Sequence, residues 1–490
     1  MASTQTTQPV RLRRALTLWD LMLYGIIVIQ PVAPMAVFGV LSERGRGHVV
    51  TSLLIAMVGM LFTAFSYGRM ARAYPSAGSA FTYVGQEINP ALGYVTGWSM
   101  VMDYMLNPMI CIVWVSQQAT VFAPRVPYLV WALIFGAVFT LLNIQGIKTS
   151  ARVNTLLAAG MGAVVAIFFV AVARYIFGNP HDGASFFTRP FYDPQLWDTK
   201  SVLAATSIAV LSYIGFDGIS TLSEEAENPR RNILLATVLT CFVIGVLSAV
   251  EVYAAQLVWP ASEPFPNVDT AFTFVAGRAW KPMFAIVGFT LLVANFGSGM
   301  GAQLGAARLL YGMGRSKALP QGFFGVVDPK RHVPRNNVIF VGVIALAGAL
   351  LVSVGLFSYG LGAEMLNFGA LIAFMGVNMA AFVRYYVRED GRSPIFPLVL
   401  TAAVIVLVLW PGSNWYLLGL AAALLLILAI MAPPLAGFTI CFFLWKNLSW
   451  KAWIVGGIWM LVGIAAGAWK TRGFRGDLVN FELPPEESEA

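Results

Sequence analysis

Charge is scarce in this sequence. Of 490 residues only 11% are Asp, Glu, Lys or Arg, while 58% are hydrophobic; an average soluble domain is roughly a quarter charged. A chain so poor in charge cannot cover its apolar half with a solvated surface, which excludes a soluble enzyme and a disordered chain. Cysteine is equally rare. Cys111, Cys241 and Cys441 stand singly inside apolar runs, without CxxC or metal-ligand spacing. A disulfide-built secreted module is therefore excluded, and free packing thiols are expected. The three histidines, His48, His181 and His332, share no ligand spacing, so neither a metal site nor a cofactor is expected. The pattern GxxxxGK[ST] is absent, so ATP is not expected to act directly.

What the chain has instead is apolar runs of the length that crosses a ~30 Å hydrocarbon layer as a helix. The mean hydropathy is +0.74. The sequence reads as an all-α polytopic membrane protein. Helices are expected at about 19–41, 50–70, 92–122, 128–145, 153–177, 201–225, 233–258, 282–312, 337–356 and 364–387. Further apolar runs follow at about 395–411, 414–432, 433–445 and 453–469. Counting all four gives 14 spans, and 12 spans with re-entrant or interfacial pieces is the alternative.

Lys and Arg outnumber Asp and Glu by 31 to 23. In a soluble protein that excess would suggest nucleic acid; here it orients the chain, because cytoplasmic loops collect Lys and Arg. With the N-terminus inside, the tail (Arg11, Arg13, Arg14), the even-numbered loops and the C-terminal Lys470, Arg472 and Arg475 together hold roughly two thirds of the basic residues. Both termini are therefore expected in the cytoplasm, with no signal peptide before the first helix. The organisation expected is a tail at 1–18, a core at 19–390, C-terminal helices at 391–470 and a tail at 471–490. Residues 484–490 are polar and acidic and are expected to be disordered.

Two runs do not read as ordinary spans. Gln30-Pro31-Val32-Ala33-Pro34 falls mid-way along the first, where two prolines remove two backbone donors and disfavour helix before each. The sixth holds Tyr213-Ile214-Gly215-Phe216-Asp217-Gly218, with glycines on both sides of a carboxylate at membrane depth. Unwound backbone there must line protein or a water-filled cavity. Breaks in helices one and six are what two inverted five-helix repeats produce, about 19–177 and about 201–387. The half-helix ends then offer partial charges to an ammonium and a carboxylate. The plainer reading makes the prolines a kink and the glycines a close helix contact.

The run Tyr213-Ile-Gly-Phe-Asp-Gly-Ile-Ser-Thr-Leu-Ser-Glu-Glu-Ala-Glu-Asn-Pro-Arg-Arg-Asn232 resembles helix six and the next loop of the amino acid–polyamine–organocation transporter family. So do Tyr74-Pro-Ser-Ala-Gly-Ser-Ala-Phe-Thr-Tyr83, Gly97-Trp98, Asp103-Tyr104, the stretch from Ala307 to Gly314-Arg315 with Leu319-Pro320, and Asn367-Phe-Gly-Ala370. The similarity covers about 15–390 and is strongest to bacterial putrescine importers and amino acid permeases. It implies a leucine-transporter-type fold of two inverted repeats with added C-terminal helices. The substrate would lie between broken helices one and six and helices three, eight and ten, against Gln30, Val32, Ala33, Tyr104 and residues Tyr213 to Gly218. Two departures stand out. A Gly-rich break in helix one is replaced by the proline pair, and the lysine of the cationic-amino-acid branch is replaced by Met161.

The function expected is import of an amino acid or related amine, putrescine included, by alternating access in the cell membrane. A proton is the expected coupling ion, with sodium as the alternative, and no nucleic acid is involved. A channel or transport-derived receptor is the competing class. Asp217 is the foremost carboxylate, since an intramembrane acid is costly unless paired or hydrated; its structural alternative is to cap the second half-helix. Glu224 and Glu225 would form a relay or gate, or else a solvated helix end paired with Arg230 and Arg231. Ser298 would contribute to an ion-like site opposite helix one, or simply allow close packing with Asn295. Asp103 and Glu251 divide between a relay and a structural hydrogen bond.

Overall fold

The computed structural model describes residues 16–74, 79–145, 151–181, 183–223, 226–315, 317–331, 333–389, 393–410, 415–471 and 473. Span one is two helices, α1 (Leu18–Ile29) and α2 (Ala33–Arg44), and span two is α3 (Val49–Ala73). The short α4 (Ser79–Glu87) leads into span three, α5 (Pro90–Phe122). Spans four and five are α6 (Tyr128–Gln145) and α7 (Ala151–Gly178), and α8 (Gly183–Thr188) lies in the connection to span six. Span six begins as α9 (Thr199–Ala209) and continues as 3₁₀ turns at Val210–Ser212 and Phe216–Leu222. Span seven is α10 (Pro229–Val258); α11 (Ala271–Ala279) precedes span eight, α12 (Met283–Arg315). After α13 (Gln321–Phe324) come spans nine and ten, α14 (Arg335–Ser353) and α15 (Tyr359–Phe382), the latter prolonged by π turns over Val383–Glu389.

The spans start where sequence chemistry allows. Thr17 caps α1 reciprocally with Asp20, each side chain taking the other's backbone N–H. Asn89 accepts the Ala91 N–H at 2.7 Å ahead of Pro90, which needs no donor at the first helical position. Spans one to four of the first repeat then pack on their counterparts in the second, while span five lies against α10, α11 and α12. The parts of span one lie against those of span six, α3 against α10, α5 against α12, and α6 against α14. This pairing is what two five-helix repeats produce, and α5 is its centre, also touching α14 and α15.

The C-terminal part comprises α16 (Ile395–Leu409), α17 (Trp415–Met431), α18 (Pro433–Lys446) and α19 (Trp450–Lys470). Among the described residues ten helices, α19 included, are long and apolar enough to cross a membrane, and the α1–α2 pair, bent by 43°, makes an eleventh. The helices expected at 395–411, 414–432 and 433–445 all form. At 15, 17 and 14 residues, however, each falls short of the ~20 that a straight crossing needs. The cut between the last two lies at Ala432, before Pro433 and Pro434. The tail expected to be disordered, 484–490, lies outside the described residues.

Both ends of α15 are fastened by buried carboxylates. At one end Glu364 accepts from Arg44 of α2 at 2.7 Å and from the Ser449 N–H at 3.1 Å. At the other, the fully buried side chain of Glu87 meets Arg388 at 2.8 Å, Arg384 at 3.3 Å and the Tyr74 hydroxyl at 2.7 Å. Burial and that hydrogen bond push the Tyr74 phenol up to about 12, so it stays a donor at any working pH. Leu16 adds a backbone link, forming a parallel bridge with Ala226 and accepting the Glu227 N–H at 2.8 Å.

Removing Glu87 should therefore cost far more than removing a carboxylate at the surface. Glu87→Ala takes the carboxylate from Arg388 and Tyr74, leaves Arg384 with Glu389 alone, and should destabilise by on the order of 2 kcal/mol. Glu263→Ala loses only the part-exposed pair with Arg278, worth about 0–1 kcal/mol. Thermal unfolding of both variants in detergent would read the difference, and equal midpoints would contradict it.

Candidate functional site

The two broken spans meet at their breaks. α1 stops at Ile29, Gln30 takes φ 70°, and α2 restarts at Ala33 with Pro34 in its first turn. In span six Gly215 takes φ 123°, a conformation that L side chains rarely adopt. A Cβ built on Gly215 would stand 2.9 Å from the Val28 side chain and 3.2 Å from that of Ile29. Glycine is therefore required twice at this position, for its backbone angle and for the approach of span one.

Asp217, 4% exposed, lies just beyond Gly215. One carboxylate oxygen accepts the Gly215 N–H at 3.2 Å, and its own and the Gly218 N–H are also directed at the carboxylate. The other oxygen accepts the Tyr104 hydroxyl of α5 at 3.2 Å. Asp103, next to Tyr104, is equally buried at 4% exposed and within electrostatic reach of Asp217. Neither carboxylate has an ion-pair partner among the described residues. Two acids thus share a low-dielectric region at membrane depth with no cation beside them, an arrangement that favours a bound cation or proton.

Of the residues expected at the site, Tyr104, Gly215, Asp217 and Gly218 come together. Val32 is fully buried, Ala33 is part-exposed at the restart of span one, and Ile214 is part-exposed before Gly215. Phe216 turns to the opposite side and packs behind the break against Tyr67 and Phe374, with ring centroids 5.7 and 5.4 Å away.

Three others are engaged elsewhere. Tyr213 donates its hydroxyl to the Leu53 carbonyl of α3 at 2.8 Å, which anchors the break rather than facing Asp217. The Gln30 amide donates to the Ala294 carbonyl of α12 at 2.6 Å, tying span one to span eight. Ser298 hydrogen-bonds with Cys111 of α5, and Asn295 donates to Leu291 within its own helix. Glu224 and Glu225 lie outside the described residues. Glu251 is fully buried in α10, and neither of its oxygens has a hydrogen-bond partner among the described residues, so the structural hydrogen bond considered for it is not formed there.

Sequence reasoning did not single out Tyr67. Its fully buried hydroxyl has no hydrogen-bond partner among the described residues, and it sits within electrostatic reach of Asp217. Tyr67 forms an aromatic wall behind the site with Tyr83, Phe216 and Phe374. The available signal was a lone phenol inside the apolar run of α3.

Comparison with known proteins agrees with this geometry. The family model described as "Amino acid permease" matches residues 21–460. The chain is 32% identical over 483 residues to the low-affinity putrescine importer PlaP of Escherichia coli K12, covering 98% of each chain. It is 25% identical over 485 residues to the branched-chain amino acid permease BcaP of Bacillus subtilis, covering 92% of each. It is 24% identical over 445 residues to the methylthioribose transporter of the same species, covering 82% of this chain and 90% of that one. A bundle whose first and sixth spans break at the same place, matched by this model over nearly its whole length, belongs to the amino acid permease family of the amino acid–polyamine–organocation superfamily, and is a multi-pass membrane transporter rather than an enzyme.

Proposed function

We propose that this permease imports a small amine, an amino acid or a diamine of the putrescine class, held by its ammonium at Asp217 between the breaks of spans one and six. The observation that carries this reading is the pair of buried carboxylates, Asp217 and Asp103, without a cation beside them. Alternating access would move one bundle against the other around that point.

The donor inventory favours the diamine. At the break of span six the Gly215 N–H donates to Asp217, the Phe216 N–H to the Tyr213 carbonyl and the Gly218 N–H to the Gly215 carbonyl. At the restart of span one, Ala33 donates to Gln30, Met35 donates to Val32, and Pro34 has no N–H. A substrate carboxylate would have to displace one of these bonds or turn to the N–H of Val32 or Ile214, whereas a second ammonium would meet Asp103. The 32% identity to a putrescine importer supports the same choice.

The coupling ion in this reading is a proton. A sodium ion wants several hard oxygen ligands, and Ser298 offers one hydroxyl with no second beside it in Ala294-Asn295-Phe296-Gly297-Ser298-Gly299. Both termini are assigned to the cytoplasm of the cell-membrane protein on the distribution of Lys and Arg.

Three measurements test these assignments. Gly215→Leu should insert normally yet lose uptake in proteoliposomes, because its side chain would enter the space of Val28; unaltered uptake would remove the span-six break from the site. Asp217→Asn should retain exchange but lose accumulation driven by a proton gradient if Asp217 carries the proton. It should instead weaken putrescine selectively over neutral amino acids if Asp217 grips an ammonium. Sodium-driven uptake that is indifferent to pH and survives Asp217→Asn would reject both roles. Single cysteines placed at the two termini should be labelled only from the cytoplasmic side, and external labelling of either would reverse its assignment.

A further inference from the structure

Three helix ends converge beside the Glu87 cluster: the end of α3, the start of α10 and the π-helical end of α15. Between them lies a recess of about 300 Å³ walled by the guanidinium groups of Arg69, Arg72, Arg230 and Arg384. A second recess of about 430 Å³ shares Arg72 and Arg230 and extends to Arg231, Leu234 and Leu235. Among the described residues the charge here is one-sided. Glu389 is the only carboxylate lining either recess among the described residues, and Arg384 holds it at 3.0 Å. Arg69 lies over the Tyr385 ring, 3.6 Å from its centroid, which fixes its position without neutralising it. Arg72, Arg230 and Arg231 have no ion pair among the described residues.

Helix electrostatics add to the imbalance. Arg230 and Arg231 occupy the first turn of the 30-residue α10, whose Asn228 cap makes no side-chain hydrogen bond. Cations are unfavourable at the N-terminal, partially positive end of a helix, and an anion is favourable there. The guanidinium fork suits phosphate oxygens, which it can bind through two parallel hydrogen bonds. Beyond the charged wall the lining turns apolar: Leu234 and Leu235 begin the hydrophobic run of α10, where its helix enters the membrane. A phosphate with a hydrocarbon chain attached would satisfy both walls at once.

We propose that this recess binds the phosphate group of an anionic phospholipid, with Arg72 and Arg230 as its principal partners and Leu234 and Leu235 against its acyl chain. Free inorganic phosphate offers the same head chemistry without the chain. Bound there, the lipid would join span two, span seven and span ten, which belong to both repeats, and would stabilise the arrangement described above.

The full-length protein in nanodiscs tests this without reference to uptake, so the result does not depend on the substrate assignment. In phosphatidylcholine discs supplemented with phosphatidylglycerol, native mass spectrometry should find phosphatidylglycerol retained, and the unfolding midpoint should exceed that in phosphatidylcholine alone. Arg72→Gln/Arg230→Gln should lower phosphatidylglycerol retention by about tenfold or more, while Arg125→Gln, remote from the recess, should match the parent. Arg72→Lys/Arg230→Lys keeps the charge and should still lose several-fold, because the planar fork is gone. Inorganic phosphate that fails to compete identifies the lipid as the ligand. Phosphate that stabilises the phosphatidylcholine sample, with phosphatidylglycerol adding nothing, would overturn the lipid assignment. Retention unchanged in both double variants would overturn the site.

Discussion

Once Gly215 leaves the helix, its N–H must find an acceptor at a depth where water is absent, and Asp217 provides it from two residues away. An unsatisfied backbone donor in hydrocarbon costs several kcal/mol. The carboxylate therefore makes the unwound turn possible before it can do anything else. A charge placed there must in turn be stabilised by donors, which brings in Tyr104 from span three. The unwound turn needs lateral room too, and span one supplies it by breaking at the same level. The break, the acid and the neighbouring phenol thus belong to one electrostatic arrangement.

Much of this was legible in the sequence because its causes are local. Pro31 and Pro34 end and restart span one where they stand, and Gly215 with Gly218 marks the unwound turn of span six. The fourth span, expected at about 128–145, forms over Tyr128–Gln145 because an uninterrupted apolar run has only one solution in a bilayer. What the sequence withheld were partners hundreds of positions apart. Gln30 and Tyr213 are expected at the site, and only the fold shows the Gln30 amide on the Ala294 carbonyl and the Tyr213 hydroxyl on the Leu53 carbonyl. Tyr67 carries no local pattern to separate it from packing aromatics. Nor does run length show that the helices after residue 394 fall short of a full crossing.

Span ten is held at both ends of its length. Its two ends are fixed by Glu364 and Glu87, carboxylates that are buried but fully supplied with donors. Its middle carries small residues where neighbours come close: a Cβ on Gly369 would stand 2.4 Å from the Ser99 carbonyl of span three. Buried charge therefore does two different jobs in one molecule. Acids with cations beside them at the helix ends brace the bundle, whereas Asp217 and Asp103 near its centre have no ion pair among the described residues.

The backbone bridge between Leu16 and Ala226 couples parts of the molecule that the repeat architecture would otherwise let move apart. Leu16 immediately precedes α1, and Ala226 with Glu227 leads from the unwound half of span six into α10. A tilt of α1 about the break at Gln30 must either break this link or carry the entry to span seven along with it. The stretch that leads from span six into span seven is thus also the point at which the start of the first helix meets the second repeat. Leu16 thus ties the start of α1 to the entry of span seven through backbone groups that lie beyond the ends of both helices.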